Sequence, residues 1–108
     1  MSESELSRQA SIIFRRAASY IRKYGWQVSG MGRDGLPRCS MGALASAHKA
    51  NIWDNELAEL MYQALYEDLD GLTLTEFNHQ YNDGEMVARL FDQVAAKLSI
   101  NKSLVLTS

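Results

Sequence analysis

The chain has 108 residues, 46% of them apolar and 22% charged, the proportions of one soluble domain that buries roughly 60–70% of its unfolded surface. The single cysteine, Cys39, excludes an internal disulfide framework and any multi-cysteine zinc site. The polar start MSESELSRQ, and no apolar run near ~20 residues, argue against a signal peptide and a membrane span, so a reducing cytoplasm is the expected setting.

The formal net charge of −2 conceals a division. Residues 1–50 hold eight Lys or Arg against three Asp or Glu, and residues 51–108 hold three against ten. A helix is predicted over 4–24. There Leu6, Ala10, Ile13, Ala17, Tyr20 and Tyr24 form one stripe, widened by Phe14 and Ile21. Arg8, Arg15 and Arg22 recur every seven residues nearly opposite it, flanked by Arg16 and Lys23. Ser2 or Ser4 is the candidate cap and Gly25 the stop.

From Trp26 to Pro37 the pattern changes. Trp26-Gln27-Val28-Ser29 can begin a strand, and Asp34-Gly35 is a tight-turn pair, so a small β-hairpin is expected, with Pro37 confining its second strand to an edge. Cys39–Ala50 reads as a helix of small residues, suited to a central position. Asn51 or Asp54 can cap a third helix, from about Asn55 to Leu69. Its core face is Leu57, Leu60, Met61, Ala64 and Leu65, with Glu56, Glu59, Gln63 and Glu67 opposite.

Leu72–Tyr81 reads as a short helical turn capped by Thr73 or Thr75. Asn82-Asp83-Gly84 opens a last helix that lines up Met86, Val87, Leu90, Phe91, Val94 and Leu98 and pairs Glu85 with Arg89. The expected fold is mainly α: about four helices around one core, with a small β-hairpin between the first two. The domain spans residues 1–98, and 99–108 form a tail in which Leu104-Val105-Leu106 docks as an extended segment.

Several motifs compete for a chemical role. Gly30-Met31-Gly32-Arg33-Asp34-Gly35 matches G-x-G-x-x-G, but no buried strand precedes it and no helix opens at its last glycine, so it reads as a turn. Asp68 to Glu76 resembles half of a calcium loop. The glutamate comes one residue early and Tyr66 stands where the first carboxylate belongs, so a helix stop explains it better. No metal and no cofactor are predicted.

Cys39 follows Arg38 at a helix start, where the dipole favours thiolate. With His79 and Asn82 (or His48 and Asn78) it would make a Cys-His-Asn set for a thiol enzyme or thiol switch. Packing as a small buried hydrophobe is the stronger reading.

The segregated charge, with no assembled chemistry, points instead to a non-enzymatic interaction module that binds another protein. Its contact residues would be Arg8, Arg15, Arg16, Arg22 and Lys23 on the first helix and Glu56, Glu59 and Glu67 on the third. Self-association through these opposed faces is one form of it, and nucleic-acid binding by the arginine face is the alternative.

Three stretches carry a resemblance: Gly25-Trp26; Cys39-Ser40-Met41-Gly42-Ala43-Leu44; and Tyr81-Asn82-Asp83 (or Phe77-Asn78) ahead of Glu85–Leu98. In these the chain resembles a family of small uncharacterised proteins of actinobacteria and their phages, a domain of unknown function. The likeness spans about residues 6–98, and the aromatic before Asn-Asp is not the tryptophan usual in that family. The resemblance implies a compact fold and an accessory role in a phage or mobile element. It implies no catalytic residue.

Overall fold

Five helices make up most of the computed structural model, which describes residues 3–27, 32, 35–48 and 56–107. They are α1 (Glu3–Tyr24), α2 (Ser40–His48), α3 (Glu56–Asp68), α4 (Leu74–Tyr81) and α5 (Gly84–Thr107). The first and last helices form the main packing pair, and α2 and α3 lean on α1.

The α1–α5 seam follows from side-chain size. Ala18 on one helix, in line with Ser11 and Arg22, and Ala88 and Ala95 on the other are fully buried, and such small residues let two backbones approach. The approach is close enough for the Ser11 hydroxyl to donate to the Ala95 carbonyl at 2.9 Å, with the Ser99 hydroxyl 3.1 Å away. Phe14 and Phe91 fill the centre, their rings tilted at 5.5 Å. Leu44 from α2, Met61 and Leu65 from α3, and Phe77 from α4 complete one core.

Local chemistry sets the helix ends. Gly25 stops α1 at φ 98°, where its N–H reaches the Ile21 carbonyl at 2.9 Å. Cys39 is the cap residue of α2, since its carbonyl accepts from Ala43 at 2.9 Å. Of the two caps expected for α4, Thr73 is the one used: its hydroxyl accepts from the Glu76 N–H while the Glu76 carboxylate accepts from the Thr73 N–H, both at 3.1 Å. Asn82 closes α4 in the left-handed region, and the Asp83 carboxylate caps α5 by accepting from the Glu85 N–H at 3.0 Å. Asp68, at the end of α3, has a side chain only 3% exposed that is paired with the Lys97 ammonium.

Three expectations are corrected. Among the described residues there is no β-hairpin: they hold one isolated bridge, Trp26 with Arg38, and it is parallel. A reverse turn between Trp26 and Arg38 would pair them antiparallel. The Tyr20 hydroxyl supplies what a partner strand would have given. It donates to the Leu36 carbonyl at 2.8 Å and accepts from the Gly35 N–H at 3.1 Å and from Arg38 Nε at 3.0 Å. Asp34 of the predicted turn, and the candidate caps Ser2, Asn51 and Asp54, lie outside the described residues.

The second correction concerns α4, a capped two-turn helix rather than a short turn, so the described residues form five helices where about four were expected. Third, α5 does not stop near Leu98 but continues to Thr107, since no Gly or Pro interrupts residues 85–107.

Candidate functional site

The sequence places five cations on the outer side of α1, and the structure divides them. Arg22 is committed internally. Its Nε and Nη2 reach the two oxygens of Glu85 at 3.2 Å each, and its Nη1 reaches Asp92 at 2.7 Å. Those hydrogen bonds, Glu85 first, hold the guanidinium above its already high ordinary range, and in return Arg22 holds Glu85 below the usual carboxylate range. Arg89 adds to the group from one turn further along α5, with Nε 3.5 Å from Glu85.

Lys23 sits over the Tyr24 ring, 5.1 Å from its centroid. Arg8, Arg15 and Arg16 are exposed, and among the described residues they make no ion pair. Between these three on the helix surface stands Ile12, 41% exposed. Next to it a groove of about 260 Å³ runs between α1 and the ends of α2 and α3, with Ile13, Ala47 and Leu57 in its lining.

On α3 the carboxylates of Glu56, Glu59 and Glu67 face outward. They share that surface with Tyr66, whose ring stacks beside Tyr62 at 6.2 Å. Burial, and then the neighbouring Tyr66, push the Tyr62 hydroxyl up to about 12. The acidic face predicted for this helix is therefore a real surface. Tyr66 within it, like Ile12 on α1, is a feature that charge periodicity alone passes over.

The Cys-His-Asn set is not assembled among the described residues. Cys39 is 8% exposed, His79 and Asn82 point to solvent, and no hydrogen bond joins the three. Asn78, the other asparagine weighed for that role, is occupied: its Oδ1 accepts from the Ser40 hydroxyl at 2.6 Å, and Ser40 in turn accepts from Trp26 Nε1 at 3.3 Å. His48 has a side chain outside the described residues.

Among the described residues no three His, Cys, Asp or Glu side chains gather as a metal site, and no helix is long and apolar enough to cross a membrane. The calcium-like stretch is accounted for by structure, with Asp68 on Lys97 and Glu76 in the α4 cap.

The Trp26–Ser40–Asn78 chain was not foreseen. It links the stretch after α1, the start of α2 and the middle of α4, and it draws in α5. A Cβ on Gly84 would stand 2.8 Å from Trp26 Cβ, so only glycine fits under the indole. Three of the short stretches singled out in the sequence thus meet at one hydrogen-bonded point, and their role there is to hold elements together.

In comparison with known proteins, a family of unknown function (DUF6197) matches residues 6–97, most of the chain. No curated protein and no solved structure matches.

Proposed function

The chain belongs to DUF6197, a family of unknown function, and from that premise we propose that it is a non-enzymatic interaction module that binds another protein through the outer face of α1. One contrast carries the reading. Arg22, on the same helix, is neutralised by two carboxylates of its own chain, while Arg8, Arg15 and Arg16 are left in solvent around an exposed isoleucine. A large apolar group ringed by arginines is the composition of a protein contact, in which the apolar group supplies burial and the charges supply register. Nucleic acid is the weaker fit, because the neighbouring α3 presents Glu56, Glu59 and Glu67 outward and would repel phosphates.

The experiment compares the wild-type chain with the triple reversal Arg8→Glu/Arg15→Glu/Arg16→Glu as baits in extract of the native host, with and without nuclease treatment. Circular dichroism checks that both are folded. Proteins captured by the wild type and lost with the reversal are the expected result. Capture that survives the reversal, or that disappears on nuclease treatment alone, overturns the reading.

A further inference from the structure

We infer that the protein pairs with a second copy of itself, the basic outer face of α1 in one copy seating on the acidic outer face of α3 in the other, and the reverse across a two-fold axis. This rests on the α1 face being a contact surface, as proposed above, and adds the partner.

The two faces match in three respects. The first is composition. Ile12 lies four residues after Arg8, three before Arg15 and four before Arg16, so all three cations surround it on the helix surface. On α3, Tyr66 is 54% exposed and shares its surface with Glu59 and Glu67. Each face is therefore an exposed bulky side chain among like charges, and the two signs are opposite.

The second is length. At ~1.5 Å per residue, Arg8 to Arg16 covers roughly 12 Å and Glu56 to Glu67 roughly 16 Å, so three cations can lie along three carboxylates.

The third is placement. Helices α1 and α3 pack against each other, which sets the two faces on neighbouring helices. Both point outward, so they cannot meet within one copy. Among the described residues, Glu56, Glu59 and Glu67 make no ion pair, like the three arginines. A two-fold rotation lays each α1 on its partner's α3, and both contacts form at once. Exposed ion pairs alone contribute little. In this arrangement they fix register, while Ile12 and Tyr66 leave water.

The test is the mass in solution, by light scattering over a concentration series. At low salt the wild type should approach twice the 12.1 kDa of a single chain. It should return to one chain at about 1 M salt, where the screening length is ~3 Å. The arginine triple reversal should be monomeric, and so should Glu56→Lys/Glu59→Lys/Glu67→Lys. An equimolar mixture of the two should regain the double mass, because each reversed face again meets its opposite.

A wild type that stays monomeric at low salt overturns the inference. So do a dimer indifferent to either reversal, a mixture that stays monomeric, and a ladder of masses beyond the dimer. The salt series needs no variant, and Ile12→Glu, a single surface change expected to abolish pairing, tests the same contact should a triple variant fail to fold. Should the wild type remain monomeric while the arginine reversal still loses captured host proteins, self-pairing fails and the α1 contact stands. Should the reversal change neither mass nor capture, the α1 contact itself fails.

Discussion

Ser40 shows how one hydroxyl can decide the order of three segments. It is fully buried, accepts from the Trp26 indole and donates to Asn78. Ser40→Ala would strip both neighbours of their partner inside the fold, and an orphaned buried polar group costs about 1–3 kcal/mol. Urea denaturation should show that loss as a lower midpoint at unchanged slope; an unchanged midpoint would mean that water replaces the hydroxyl without cost. At this scale the sequence was least informative. Cys39 is the rarer and more reactive residue type, yet the adjacent serine bears the hydrogen bonds. Arg22 was indistinguishable from Arg15 by periodicity, since both lie on one helical arc. Its carboxylates are 63 and 70 residues away, and no local pattern reports that approach.

Among the elements, α4 is the one whose existence depends most on its cap. It has eight residues, a length at which an isolated helix is unstable in water. The reciprocal Thr73–Glu76 bonds satisfy two N–H groups that its first turn would otherwise leave open. Thr73→Ala should cost about 1 kcal/mol, and Thr73→Ser should recover most of it, as read by thermal melts of the two variants. Helices α1 and α3 were legible from sequence because each repeats its apolar stripe over several turns and displays charge opposite. The loop after α1 was not. Trp26-Gln27-Val28 and Asp34-Gly35 carry real hairpin propensity, but the Tyr20 hydroxyl captures Gly35, Leu36 and Arg38 for α1, and a tertiary bond of that kind leaves no trace in spacing. Of the candidate surface, the exposed arginines and glutamates were readable as arcs on helical wheels. Ile12 was not, because a lone apolar residue in a polar arc gives no periodic signal.

For the whole molecule, the opposed charge of the two halves is partly spent in holding them together. Arg22 belongs to the basic half, and Glu85 and Asp92 to the acidic one. The hydrogen bond from Arg22 lowers the Glu85 carboxyl, and the Thr73 backbone and side chain lower that of Glu76. Both groups bind a proton less readily folded than unfolded. Their contribution is therefore complete above the ordinary glutamate value of about 4.3 and is lost as pH falls from there through the folded values. The thermal midpoint should hold level from about pH 7 to about 5 and decline below, and Glu85→Gln should make the decline shallower; an identical acid limb in that variant would show that the Arg22 pair adds nothing. The α1–α5 seam has a consequence for biosynthesis. Within this domain α1 is made well before α5, its principal mate, and Phe14 and Ala18 of α1 are fully buried once the fold is complete. Until α5 is made, the strip of α1 that faces it stays uncovered even where α2 and α3 already lean on the helix, so closure of the domain waits on α5 and a stall ahead of it strands a sticky intermediate.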